Sequence, residues 1–237
     1  MHSDLVEFAR RDARIAAGAV TGSSAAGRED EWSDIDLAFG VADAAEMPNV
    51  LGDWTARMYQ RHSAIHHFDV KAGAWIYRVF LLASTLQVDL AFVPAREFRA
   101  LAPTFRLLFG QANEARHGAP PSLDDLIGMG LLYALHARSS IARGRVWQAE
   151  FMISCLRDDA LSLACIRHGL PTSHGRGYDQ LPGTVIAQFE ESLVRSLEPV
   201  QLARALRVTA QAFSIELAHA DTQLAKRLEP ILTSLVA

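Results

Sequence analysis

The sequence predicts an α+β protein, an N-terminal half built on a sheet followed by a C-terminal helical bundle. Three observations lead there. Apolar residues in the first half come in short runs punctuated by turn signals, as strands do. In the second half they recur at helical spacing over long stretches. Between the two lies Gly118-Ala119-Pro120-Pro121, a break that neither helix nor strand tolerates.

Ile15 to Thr21 (IAAGAVT) reads as a buried strand stopping at Gly22, and Asp34 to Val41 (DIDLAFGV) as a half-buried one, polar and apolar residues alternating in its first half. Pro48 to Arg61 is helical, with Val50, Leu51, Trp54 and Met58 on one side. Ile65 to Val70, Trp75 to Ala83 and Leu86 to Val93 are further strands. The last two are separated only by Ser84-Thr85, which implies a hairpin, and Pro94 is expected to end the sheet region. Beyond the break, Ser122 with Asp125 opens a helix over Leu123 to Ala142. Val146 to His168, Gly183 to Ser196, Val200 to Ala220 and Asp221 to Val236 are the remaining helices, with a long polar loop over residues 169–182. The domain boundary is placed at 115/116, giving domains 1–115 and 116–237.

Composition narrows the function. Half of the residues are hydrophobic and the net charge is −4. Lys71 and Lys226 are the sole lysines and the arginines are scattered, so nucleic acid is not expected as the main partner. Cys155 and Cys165 fit neither a disulfide framework nor a metal spacing and are expected to be reduced, buried thiols. The N-terminus lacks a signal-peptide pattern and no apolar run is long enough to span a bilayer, so the expectation is a soluble, cytoplasmic protein without a membrane partner.

Chemistry is concentrated in Gly22-Ser23 and, ten residues later, Asp34-Ile35-Asp36-Leu37. Alternate strand residues share a face, so Asp34 and Asp36 project together while Ile35 points into the core. Two carboxylates held that close repel, and sharing a proton or a divalent cation relieves them; hard oxygen ligands suit magnesium. Asp89 sits inside the otherwise apolar Leu86-Gln-Val-Asp-Leu-Ala-Phe-Val93, where a lone charge is costly unless paired or liganded. If its strand lies beside that of Asp34 and Asp36, three acids converge. Gly22 allows a phosphate to approach the backbone, and Ser23 offers a hydroxyl and an N–H at the start of a short helix.

Together these residues resemble the polymerase-β-like nucleotidyltransferase superfamily, over about the first 95 residues. The resemblance implies a mixed sheet flanked by helices and two magnesium ions. It implies ATP or another NTP as co-substrate, and transfer of its NMP with release of pyrophosphate. It gives Asp34 and Asp36 to both metals and Asp89 to the metal that activates the acceptor hydroxyl. Ser23 would contact the outgoing phosphates. Arg28 either neutralises phosphate or is simply solvated, and Ser33 either touches phosphate or caps a turn.

The helical half is similar in arrangement to small-molecule nucleotidyltransferases of the kanamycin nucleotidyltransferase type. It is accordingly assigned to substrate binding, with Glu150 as the candidate base that deprotonates the acceptor. A structural ion pair of Glu150 with Arg143, Arg145 or Arg157 is the competing reading. The loop around His174, Arg176, Tyr178 and Asp179 faces substrate or is a solvated connection. His66 and His67 point to opposite strand faces and are not expected to share a metal. The acceptor is read as a hydroxylated small molecule, an aminoglycoside-like antibiotic being the first class to consider. The alternatives are a protein or RNA acceptor and a non-catalytic, antitoxin-like partner-binding module. The sequence leaves the oligomeric state open, a homodimer included.

Overall fold

The computed structural model describes residues 1–27, 30–118 and 121–235. The chain divides into two compact units, Met1–Ala119 and Pro120–Ala237.

In the first unit, α1 (His2–Arg11) leads into β1 (Ile15–Thr21), a single turn α2 (Gly22–Ala25) and β2 (Ile35–Val41). Helix α3 (Met47–Arg61) follows, then β3 (Ala64–Ala72), β4 (Trp75–Leu82), β5 (Gln87–Pro94) and β6 (Phe105–Phe109). The six strands form one mixed sheet in the order β3-β4-β5-β2-β1-β6. Only β2 and β5 run parallel, in continuous register from Ile35 opposite Val88 to Val41 opposite Pro94. Their parallel pairing needs a crossover, which α3, β3 and β4 provide.

One face of the sheet is covered by α1 and α3. Leu37 and Phe39 of β2, Val88, Leu90 and Phe92 of β5, and Val20 of β1 pack there against Leu5, Val50, Trp54 and Met58. Trp54 is the hub, its ring 4.7 Å from Phe39, 4.8 Å from Phe8 and 5.5 Å from Phe92. The opposite face is lined by Ala17, Ala19, Ala38, Ala91 and Val93, with Phe98 and Trp75 packed onto them. The same strands thus feed two different surfaces by alternation.

The second unit consists of α4 (Leu123–Ala142), α5 (Val146–Arg167), α6 (Gly183–Glu190), α7 (Pro199–Ala220) and α8 (Thr222–Leu235). Ser122 caps α4, accepting from the Asp125 N–H at 3.0 Å. The core is shared by Ile153, Leu156, Leu202, Leu206, Phe213 and Leu217. Glu216, 1% exposed, is held in it by two guanidinium nitrogens of Arg167, Nε and Nη2, at 2.9 and 2.8 Å.

Three elements differ from expectation. The sheet does not end at Pro94, because β6 pairs antiparallel with β1 along its outer edge. Its residues, FRLLF, lack the alternation that marks a strand, since neither face of an outer strand is fully buried. Helix α1 is absent from the sequence reading because its charged residues dominate, with only Leu5 and Ala9 fully buried. Helix α6 stops at Glu190 instead of continuing to Ser196. There Arg204 donates to the carbonyls of Glu191 and Leu193, and the Ser192 hydroxyl donates to the Phe189 carbonyl. Those carbonyls are thereby satisfied without further helical turns. Val236 lies outside the described residues.

Among the described residues, no helix is long and apolar enough to cross a membrane. Both cysteines are free, Cys165 buried and Cys155 partly so.

Candidate active site

The parallel pairing of β2 with β5 sets Asp36 directly opposite Asp89. Residues opposite one another on adjacent strands project to the same side, so both acids stand on the face away from α3, as the inward Leu37 and Leu90 require. Asp34 lies just before β2, exposed, and its charge reaches Asp89. Burial is the main cause that pushes the Asp89 carboxyl up to about 6, the Asp36 and Asp34 charges adding to it. The charges of the other two acids of the sequence motif therefore reach Asp89.

Gly22 closes the other side. Its φ is +64°, a conformation that favours glycine, and a Cβ built there would fall 2.0 Å from Oδ2 of Asp36. Gly22 is thus where the β1–α2 turn presses against the carboxylate, and Ser23 follows it in α2. The motif's spacing has a structural meaning: β1 delivers the turn and its antiparallel neighbour β2 delivers the acid beside it, Val20 pairing with Leu37.

Gln87 is a member of the site that the sequence reading missed. Its side-chain amide donates to both oxygens of Asp89, at 3.1 and 3.2 Å, and this contact opposes the rise in the carboxyl's proton affinity. The signal was present in the sequence, since Gln87 and Asp89 are two apart on one strand and so share a face.

The donors fit a hard divalent cation in kind, being carboxylates paired in register whose mutual repulsion a cation would relieve. As they stand, no three His, Cys, Asp or Glu side chains among the described residues are close enough to enclose an ion. Asp36 and Asp89 would be the nucleus of such a site, with Asp34 joining them from the end of the loop.

The other candidates are placed as follows. The Ser33 hydroxyl donates to Asp30 Oδ1 and accepts from the Asp30 N–H, both at 3.0 Å, so it is engaged in a turn. Arg28 lies outside the described residues. Glu150 is in the second unit, on α5, where the Ser154 hydroxyl donates to it at 2.8 Å while Arg157 donates to Ser154 at 2.9 Å. It is held through a serine, and Arg157 reaches it only at second hand. The 169–182 loop is tied to α5 by Tyr178, whose hydroxyl donates to the Asp158 carbonyl at 3.1 Å. His67 shares a hydrogen bond of 3.0 Å with the Tyr59 hydroxyl on the α3 side. His66, opposite Leu81, is on the carboxylate side.

No family model matches this chain, and no curated protein matches it. Among solved structures, the chain is similar to an aminoglycoside 6-adenyltransferase from Bacillus subtilis, with 13% sequence identity and a TM-score of 0.44. The similarity covers 98% of this chain and 95% of that one. So distant a likeness says nothing about activity, which has to be argued from the carboxylates themselves.

Proposed function

We propose that this protein is a magnesium-dependent nucleotidyltransferase that transfers the NMP of an NTP, AMP from ATP in the first instance, to a hydroxyl of a small molecule. The observation that carries this reading is the in-register pair Asp36–Asp89 with Gly22 pressed against it. A pair of carboxylates in register, flanked by a glycine turn, suits the cations that a triphosphate brings, and the raised proton affinity of Asp89 supports this reading.

Asp34, Asp36 and Asp89 are the residues that would hold magnesium. Bound there, the cations would supply the positive charge that draws the triphosphate and the acceptor oxygen together. The missing side chain at Gly22 lets the Asp36 carboxylate lie against the β1–α2 turn, and Ser23, next in α2, would donate to the outgoing phosphates. Gln87 orients Asp89 by donating to both its oxygens. In the transfer, the acceptor oxygen bonds to the α-phosphorus as the bond from that phosphorus to the bridging oxygen of the β-phosphate breaks. Pyrophosphate leaves with that oxygen's electron pair, and the hydroxyl proton passes to a carboxylate, for which Glu150 is the candidate. Residues 116–237 are proposed as the substrate-binding domain.

The test is pyrophosphate release from NTPs with magnesium over a panel of hydroxylated acceptors. Asp36→Asn is expected to lower turnover by roughly a hundredfold to a thousandfold, the loss typical of removing one group that stabilises the transition state. Its unfolding midpoint should stay near that of the wild type. Full activity in that variant would reject the assignment.

A further inference from the structure

The carboxylate face of the sheet continues, row by row, into an apolar shelf. One row runs Phe68–Val79–Asp89–Asp36 across four strands, each residue directly opposite the next. Flanking rows run His66–Leu81–Gln87 and Val70–Tyr77–Ala91–Ala38. Opposite residues share a side, so all of these project with the acids and away from α3. Neighbouring strands are about 4.8 Å apart, which places Phe68 roughly 10 Å from Asp89.

Phe68, Val70 and Leu81 are 45, 50 and 37% exposed. Contiguous exposed apolar side chains on a sheet are costly and mark a surface that something covers. The acids on these three rows are Asp36 and Asp89, which together with the neighbouring Asp34 are the ones assigned to cations, and the other titratable groups on them are His66 and the Tyr77 phenol. A polyamine acceptor would find no carboxylate on the shelf to pair with its ammonium groups. A ring would find Phe68 exposed in line with the reacting oxygen, with the buried Val79 between them.

We infer that the exposed Phe68, Val70 and Leu81, with Tyr77 beside them, are specificity-determining residues that take the apolar ring of the hydroxylated acceptor, which is therefore an amphiphilic alcohol and not a polycation. This rests on the nucleotidyl-transfer reading and refines it by substrate class. The shelf holds the ring while the hydroxyl lies toward Asp89, so shelf substitutions act on acceptor binding and leave nucleotide binding alone.

The experiment is an amide-resolved NMR titration of the full chain with magnesium and a non-hydrolysable ATP analogue. The probes are 2-naphthylmethanol and 1,3-diaminopropan-2-ol. The naphthyl alcohol is expected to shift the amides of residues 66–70 and 77–81. Phe68→Asp, at an exposed position, should weaken that binding at least tenfold with nucleotide affinity unchanged. The diamine should leave those amides unmoved. Shifts there from the diamine, naphthyl shifts elsewhere, or naphthyl binding that survives Phe68→Asp would each overturn the proposal. So would a wild-type dimer that Phe68→Asp converts to monomer, which would make the shelf an interface between copies. If magnesium and nucleotide bind but the shelf stays silent, only the shelf assignment fails. If the shelf binds the alcohol and the nucleotide does not bind at all, the nucleotidyl-transfer reading fails and the acceptor role falls with it.

Discussion

The two faces of the N-terminal sheet are built from the same strands and do opposite work. Toward α1 and α3, β2 presents Leu37, Phe39 and Val41, all fully buried. Toward the other side it presents Asp36, Ala38 and Gly40, and β5 presents Gln87, Asp89 and Ala91. The first face gains stability from large apolar side chains around Trp54. The second has small side chains, alanines with Phe98 and Trp75 packed onto them, and acids where burial is costly. A one-residue alternation is enough to separate folding from chemistry, so substitutions on adjacent residues of β2 should have unlike consequences.

The sharpest break of that separation is on the covered face. Phe39→Ala removes a ring packed on both Trp54 and Phe92 and should destabilise the chain by about 3–5 kcal/mol, read as a shift in the denaturation midpoint. At permissive temperature the fraction that remains folded should turn over normally. This is the inverse of Asp36→Asn, which should leave the midpoint and lose the turnover.

Gly22→Ala tests the seam where the turn meets the acid. The added carbon meets Oδ2 of Asp36 in a backbone conformation already unfavourable for alanine. We expect about 1–2 kcal/mol of destabilisation, together with loss of most activity because the carboxylate is pushed aside. Unchanged activity would separate the turn from the site.

The smallest effect concerns Asp89 and its sign. With a folded-state pKa of about 6 against an ordinary value of 3.8, the fold prefers the protonated acid. The favourable contribution is therefore complete below about pH 4 and is lost as pH rises through 6. Asp89→Asn should accordingly stabilise the metal-free chain at pH 8, by roughly 1–2 kcal/mol once solvent screening of a partly exposed group is allowed for. The gain should vanish by pH 4. Denaturant midpoints in chelator at the two pH values measure it, and a destabilised variant at pH 8 would show that the charge is already satisfied.

How much of this is legible in the sequence differs along the chain. β1 is readable to the residue, because a continuous apolar run ending at Gly22 is unambiguous. The α+β class follows from the change of period between the halves. Asp89 stands out because an isolated charge in an apolar strand needs a partner; Gln87 donates to it, and Asp36 opposite adds a second acid. The edges are not legible. β6 is recognisable only through its pairing with β1, a long-range contact that leaves no local pattern. Gln87 is ordinary until β5 is aligned with Asp89, and the turn role of Ser33 depends on Asp30 folding back onto it. The reach of Arg204 to the end of α6 is equally non-local.

Manganese binding followed by electron paramagnetic resonance on the metal-free chain tests the central claim most directly, because it needs neither nucleotide nor acceptor. The account predicts saturable binding by the wild type at pH 8, weakened at least about tenfold in both Asp36→Asn and Asp89→Asn. Equal affinity in the three proteins, or no binding by the wild type, would contradict it.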